Sequence, residues 1–291
     1  MTSVNDLAID FMCGHFTEDN IRRNFFDSSE SEVFEAVGRL KGLRGYEPAE
    51  FMAHLETLGI GRIIIPTLLT WDYWNQRPIE ETFVEEVVEA RAAGFEDRIF
   101  GHYGVNPRKR MAGVREMEDA IRHKGFVGMH LHPHGFGLPL NHAWYMPYYA
   151  KCAELGAVVS ISTGHTLDFM PAEVARPMLI DEIALYFPEL TIVCGHTGWP
   201  WVEEAIAICA KHPNVYLGTS AYAPKYWKPE MIQFLDSRRG RGKTLWGTDY
   251  PLVRHEECMR QLDDLGLKPE SRHALLNETA RKVYRLPDVA S

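Results

Sequence analysis

The chain has 291 residues, of which 45% are hydrophobic and 24% are charged, a balance typical of a folded protein with a large core. With a formal net charge of -9, it offers no basic surface for nucleic acid or for an anionic membrane, and we expect neither partner. No apolar stretch reaches the roughly 18 residues that a membrane span requires. The five cysteines show no CxxC spacing and no signal peptide is recognisable, so we expect reduced thiols and a cytoplasmic protein.

Short aliphatic runs alternate with longer helical patterns along the chain. The predicted strands, in order, are "AIDFMCGHF", "GRIIIPTLL", "RIFGHYGVNP", "GFVGMHLHP", "AVVSISTG", "LTIVCGH", "NVYLGTS" and "TLWGTDYP". Helical patterns follow them, including "IEETFVEEVVEARAAGF" after the second strand and "HAWYMPYYAKCAELG", with a break expected at Pro147, after the fourth. This alternation predicts a single-domain (β/α)8 TIM barrel over residues 1–291. A doubly wound sheet is the alternative, but no glycine-rich dinucleotide turn follows the first strand.

Polar residues gather where the predicted strands end. They are His15, Asn106, His130, His132, His134, Ser162, His165, His196, Tyr222 and Asp249. Active sites of (β/α)8 barrels lie at this edge, so we expect these side chains to meet around one pocket. Period-two alternation puts His130 and His132 on the same face of their strand. The barrel interior is the favoured face, because imidazoles buried against helices would be costly.

Two of these residues are the main candidates for catalysis. Asp249, at the end of the last strand, is interpreted as a metal ligand, a general base for water or a structural cap of the rim. His196 precedes a helix expected to begin at Pro200, whose N–H groups favour a carboxylate or a developing oxyanion. Aromatic residues in the neighbouring loops, such as Trp71 and Trp199, indicate a planar or apolar substrate.

Four blocks of sequence are familiar in combination: "GFVGMHLHP", "TIVCGHTGWPWVEEAIAICAKHPNVYLGTS", "LWGTDYP" and "LLNETARKVYRL". Together they resemble the amidohydrolase-related family, in the branch of aminocarboxymuconate semialdehyde decarboxylase, resorcylate-type decarboxylases and some lactone hydrolases. The resemblance runs from Ile9 to Leu286. It implies a barrel, a homodimer and a divalent metal, usually zinc, held by two histidines of strand one, a histidine of strand five and an aspartate of strand eight. Asp249 matches that aspartate, and His196 matches a strand-six histidine that assists catalysis in the family.

The other three ligand positions of the family are not filled by histidine in this chain. Met12 and Gly14 occupy the strand-one positions, and Ser162 occupies the strand-five position. A zinc site of this kind needs about three protein ligands, so we expect no metal cofactor. A relocated zinc ion is the alternative. The residues that could hold it are His15, His130, His165, His196 and Asp249.

These observations predict a metal-independent hydrolase that acts on a small carboxylated substrate, such as an aromatic or cyclic lactone. Asp249 is expected to take a proton from water, while His196, with His130 if protonated, stabilises charge on the attacked carbonyl. Substrate-binding roles are expected for His15, His134, His165, Trp199, Tyr222 and Trp71. Two alternatives stay open: a zinc-dependent decarboxylase or hydrolase, and a catalytically silent barrel that binds a small acid or a partner protein.

Overall fold

In a computed structural model that describes residues 3–14, 16–29, 31–36 and 38–289, parallel strands form a barrel. In order around the sheet the strands are Ala8–Asp10 (β1), Ile60–Pro66 (β2), Ile99–Gly104 (β5), Phe126–Leu131 (β6), Val158–Ser162 (β7), Thr191–Gly195 (β8), Val215–Gly218 (β9) and Thr244–Leu245 (β10). Two further strands, Leu68–Trp71 (β3) and Pro78–Glu81 (β4), form a separate antiparallel hairpin. Phe11 N–H donates to Trp246 O (3.2 Å), and Cys13 bridges Tyr250, so the sheet closes on itself. The predicted (β/α)8 TIM-barrel fold is confirmed.

Helices connect the strands. Their bounds are Glu18–Ile21 (α1), Ser31–Ala36 (α2), Pro48–Thr57 (α3), Val84–Ala92 (α4), Arg110–His123 (α5), Met146–Leu155 (α6), Ile180–Tyr186 (α7), Val202–Lys211 (α8), Pro229–Leu235 (α9), His255–Asp263 (α10), Pro269–His273 (α11) and Thr279–Tyr284 (α12). Within the described ranges, no helix combines the length and the apolar character needed to cross a membrane. All five cysteines are buried and free of disulfide bonds.

The apolar residues of β2 belong to two separate layers of the core. Ile63 and Ile65 pack with Phe51 of α3, in the layer between the sheet and the helices. Ile64 belongs to a second cluster inside the barrel, together with Ile9. Successive side chains of a strand point to opposite faces, so a strand covered on both faces needs a continuous apolar run rather than an alternating one.

The second predicted strand and the helix after it differ from the observed elements. The barrel strand ends at Pro66, and the chain then turns into the hairpin of β3 and β4, while α4 begins only at Val84. Thr82 N–H donates to Thr67 O (2.7 Å), which holds the base of this hairpin beside β2. The pattern "IEETFVEEVV" shows helical spacing, but its first residues pair with β3, because strand pairing overrides a weak local preference.

Proline positions account for two smaller differences. Pro147, expected to interrupt a helix, lies in the first turn of α6, where its missing N–H costs nothing. Pro200 does not begin the helix after His196, because α8 starts two residues later at Val202. A short 3-10 turn over His196–Gly198 precedes α8.

His102 lies inside the barrel on β5. Its side chain is fully buried, and neither ring nitrogen has a hydrogen-bond partner among the described residues. The ring lies 5.3 Å from that of Tyr284, centroid to centroid. Burial lowers the pKa of His102 to about 3, so the ring is neutral in the folded protein.

Replacing His102 with Leu is expected to make the protein more resistant to acid. The folded-state pKa lies below the usual value near 6.5, so the unfolded chain binds a proton that the native state excludes. Stability is therefore lost as the pH falls below 6.5, by about 2 kcal/mol at pH 5 for this one ring. Urea unfolding at pH 7 and pH 5 measures the difference. Equal pH dependence of the two proteins would contradict the assignment.

Candidate active site

A cavity of about 420 Å³ opens at the C-terminal ends of the barrel strands. Eight of the residues predicted from the sequence line it: His132, His134, Ser162, His165, His196, Trp199, Tyr222 and Asp249. His15, which was also expected there, lies outside the described residues. The prediction that polar strand ends meet around one pocket is therefore correct for seven of these side chains, all except the aromatic Trp199, and the volume suits a small organic molecule.

Asp249 lies four residues beyond the end of β10, on the floor of this cavity. It is buried, and its Oδ1 has no hydrogen-bond partner among the described residues. Its backbone has a positive φ of 59° and donates an N–H to Met12 O (2.7 Å), which holds the carboxyl beside the first strand. Burial raises its pKa well above the usual range, and the charges of Glu80, Asp10 and Asp168 add to this effect.

His196 lies beside Asp249 and is held by one serine. Its Nε2 is 3.9 Å from Asp249 Oδ2, while Ser220 Oγ accepts the backbone N–H (3.1 Å) and lies 2.9 Å from Nδ1. The residue has a positive φ of 59°, which is rare for a side chain of this size and often occurs at functional sites. Burial lowers its pKa to about 3, so the ring is neutral. A neutral imidazole at this place can donate one hydrogen bond.

Two further histidines form part of the wall. The Nε2–H of His134 donates to Gly164 O (2.8 Å), which leaves Nδ1 as an acceptor without a partner in the described part of the chain. Its ring lies 4.7 Å from that of His132, centroid to centroid. Burial is the main cause that lowers the pKa of both, to about 4 for His134. His132 was noticed in the sequence but was not assigned a role.

His130, expected to assist His196, lies apart from the cavity. This residue is fully buried inside the barrel and does not line the cavity, whereas His132, just beyond the end of β6, does. Its Nε2 lies 3.2 Å from Ser162 Oγ, which does line the cavity. Burial lowers its pKa well below the usual value, which favours the neutral ring over the positive charge that this role would need. It supports the floor of the site from below.

The aromatic residues divide between two places. Trp199 lines the cavity, with its ring 5.2 Å from His165 and 6.2 Å from Tyr222, centroid to centroid. Trp71, for which we expected a role in substrate binding, does not line this cavity. Its ring stacks on Phe136 at 5.2 Å, and the residue lines a separate cavity.

Several charged residues of the wall were missed by the sequence analysis. Glu80 of β4 and Asp168 add two carboxyl groups to that of Asp249, and Arg39 and Lys228 add two positive charges. These residues come from loops and from the hairpin, which carry no periodic pattern that would point toward a barrel mouth. Glu80 lies in the segment predicted as the start of a helix, so nothing in the sequence pointed to a place in the cavity wall.

Asp10 forms a buried hydrogen-bond network beneath Asp249. Its Oδ1 accepts from the backbone N–H groups of Met12 (3.0 Å) and Thr248 (3.1 Å), and its Oδ2 accepts from the hydroxyl of Thr248 and from His255 Nε2 (2.9 Å). These bonds tie the first strand to the segment that carries Asp249. Asp10 was visible in the first strand, but only the closed barrel shows its partners.

The described residues do not fit the metal site that the family resemblance implies. Met12 packs inside the barrel, and a Cβ at Gly14 would lie 2.5 Å from Tyr250 O, so a histidine there would force the backbone to move. At the mouth, no third histidine, cysteine, aspartate or glutamate in the described ranges joins His196 and Asp249 with ligand atoms within 4.8 Å of one another. Zinc sites need about three such ligands.

One cluster among the described residues does bring three potential ligands within that distance, but it is already satisfied. Asp10, Cys13 and His255 are all buried, with ligand atoms within 4.8 Å of one another. Each carboxylate oxygen of Asp10 already accepts two hydrogen bonds, and His255 is one of the two donors to Oδ2. Burial raises the pKa of Cys13 well above the usual range, so this thiol is not a ready thiolate ligand.

The solved structures that are similar to this chain include three whose likeness spans nearly all of it. An uncharacterized TIM-barrel protein from Bordetella bronchiseptica has a TM-score of 0.76 and 22% identity, over 96% of this chain and 98% of that one. The 5-carboxyvanillate decarboxylase from Novosphingobium aromaticivorans, complexed with manganese and a nitrobenzoic acid, has a TM-score of 0.69 and 19% identity, over 97% of each chain. A probable 2-pyrone-4,6-dicarboxylic acid hydrolase from Acinetobacter baumannii, with citric acid bound, has a TM-score of 0.61 and 14% identity, over 96% and 99%.

These likenesses show the fold alone, because the identities are low. The family model described as "Amidohydrolase" matches residues 42–286, which is most of the chain and includes His196 and Asp249. The expectation drawn from the four sequence blocks is thereby confirmed, and this protein belongs to the amidohydrolase family and is an enzyme of that superfamily.

Proposed function

We propose that this enzyme hydrolyses a lactone, or another cyclic ester or amide, in a small carboxylated substrate. We also propose that it does so without a bound metal. The observation that carries the proposal is the pairing of Asp249 with a neutral His196 at the floor of the cavity. Asp249 Oδ1 has no partner among the described residues. A carboxylate with a raised pKa is a stronger base than an ordinary aspartate, which suits the removal of a proton from water.

The roles of the other residues follow from their positions. Ser220 Oγ accepts the backbone N–H of His196, and its own proton can bond to Nδ1. The ring proton is then on Nε2, where it can stabilise the oxygen of an attacked carbonyl. Arg39 and Lys228 supply positive charge for a substrate carboxylate, and Trp199 supplies an apolar face for a ring. His134, His165 and Tyr222 are proposed to orient the substrate, and His15 keeps the role expected from the sequence.

A metal-dependent decarboxylase is the second candidate, and the similar structures favour it. The Novosphingobium aromaticivorans protein is a decarboxylase with bound manganese, and a 2,6-dihydroxybenzoate decarboxylase from Rhizobium is also similar in fold. Against this candidate, the described residues provide only two neighbouring ligand groups at the mouth, His196 and Asp249. The two candidates differ in their need for a metal and in their product.

The metal requirement provides the decisive experiment. The protein is treated with chelator, and elemental analysis checks that it holds far less than one equivalent of zinc or manganese. We expect this protein to keep its hydrolytic activity. Dihydrocoumarin, δ-valerolactone and 2-pyrone-4,6-dicarboxylic acid form the substrate panel, with acid release followed in a pH-stat. Activity that returns only with added manganese or zinc, or carbon dioxide release from hydroxybenzoates without lactone hydrolysis, would overturn the proposal.

A further inference from the structure

The hairpin of β3 and β4 brings a second buried carboxyl group into the cavity. In the register of this hairpin, Thr70 lies opposite Glu80, and both side chains line the wall of the cavity with Asp249. Ile79 and Glu81, the neighbours of Glu80 on β4, face a different cavity on the outer side of the hairpin. Strand alternation therefore aims Glu80 alone of these three at the site. Glu80 is only 5% exposed.

We infer that Glu80 is the proton donor of the site, which makes Asp249 and Glu80 a base and acid pair across the substrate. This inference rests on the proposed hydrolase function. It goes beyond the family resemblance, because Glu80 lies on the hairpin and not on any of the barrel strands that supply the family's ligands. Two carboxyl groups with separate roles are a common solution for acid and base work in one cavity.

The chemical step balances with these two groups alone. The water oxygen forms a bond to the acyl carbon while Asp249, as carboxylate, takes the water proton. The bond between the acyl carbon and the ring oxygen then breaks, and its electron pair stays on that oxygen, which takes the proton of Glu80. The products are a carboxylic acid and an alcohol in one molecule. Proton transfer from Asp249 to Glu80 through water restores the starting state.

Burial favours a proton on Glu80 near neutral pH. With a contribution from the charge of Asp168, it raises the pKa of Glu80 to about 8. The charge of Glu80 in turn contributes to the raised pKa of Asp249, because two carboxylates in one cavity repel each other. The titratable and charged groups that share this cavity are Arg39, His132, His134, His165, Asp168, His196, Tyr222, Tyr226, Lys228 and Asp249.

The test compares Glu80→Gln with Glu81→Gln, its neighbour on the opposite face of the hairpin. We expect Glu80→Gln to lower kcat on δ-valerolactone by about 100-fold with little change in KM, since a general acid contributes of this order. The loss should be smaller on dihydrocoumarin, whose phenol leaves more easily without a proton. The wild-type rate should fall as the pH rises through about 8, where Glu80 loses its proton, and this fall should be absent in Glu80→Gln. Glu81→Gln should behave as wild type.

A second readout does not depend on activity. Infrared difference spectra between pH 6 and pH 9 should show the carbonyl stretch of a protonated carboxylic acid in wild type that is missing in Glu80→Gln. Suppose that Asp249→Asn abolishes hydrolysis, while Glu80→Gln lowers the rate on both lactones by the same factor or leaves both rates unchanged. The donor role is then wrong, and the proposed function stands. If no lactone of the panel is hydrolysed, both the proposed function and the donor role are wrong. The infrared band then reports only which carboxyl group carries the proton.

Discussion

Replacement of Asp249 with Asn is expected to lower kcat on every hydrolysed member of the panel by about 10²–10⁴-fold, with little change in KM. The amide has nearly the same shape and keeps the backbone hydrogen bond to Met12, but it cannot take a proton from water. Because Asp249 activates the nucleophile, the loss should not depend on the leaving group, unlike the loss in Glu80→Gln. Steady-state rates on dihydrocoumarin and δ-valerolactone measure this difference.

The same variant should be at least as stable as wild type. The folded state raises the pKa of Asp249, so ionisation of this carboxyl costs stability at every pH above its usual value near 3.9. Asparagine does not titrate and removes that cost, a pattern expected where a residue is kept for function rather than for stability. Thermal unfolding at pH 8 is the measurement. An Asp249→Asn protein that keeps full activity would rule out Asp249 as the base.

The second large effect is expected for Asp10→Ala, which should lower the free energy of unfolding by about 3–5 kcal/mol, as for the loss of one partner from a buried pair. Both Asp10 and His255 are almost completely buried, with 2.9 Å between Asp10 Oδ2 and His255 Nε2. Without the carboxylate, the ring of His255 and the N–H groups of Met12 and Thr248 lose their acceptor. Urea unfolding measures the change.

Asp6→Ala provides the matched control for this prediction. Asp6 lies in the same N-terminal segment but is exposed, so its replacement should change stability by no more than about 0.5 kcal/mol. A loss below about 1 kcal/mol in Asp10→Ala would show that the network contributes little. We also expect Asp10→Ala to reduce kcat, because Thr248, which Asp10 holds, directly precedes Asp249 in the chain.

The family metal site illustrates what the sequence predicted and what needed the structure. Met12, Gly14 and Ser162 were readable as replacements for histidine from the sequence. The structure adds a physical reason why Gly14 cannot simply be replaced by histidine, since a Cβ there would meet Tyr250 O at 2.5 Å. It also shows how far apart the remaining groups are, with 3.9 Å between His196 Nε2 and Asp249 Oδ2. The sequence states which side chains are available as metal ligands, whereas the distances between their ligand atoms depend on the fold.

The sequence was sufficient to predict the barrel, the order of its eight barrel strands, and two residues of the cavity, His196 and Asp249. Apolar periodicity and strand ends report local geometry, and eight repeated units leave few ways to bury their faces. The folded chain was needed to show that Glu80 faces the cavity, that Trp71 does not line it, and that His130 is buried below it. These outcomes depend on which distant segment covers each side chain, and no local pattern records that contact.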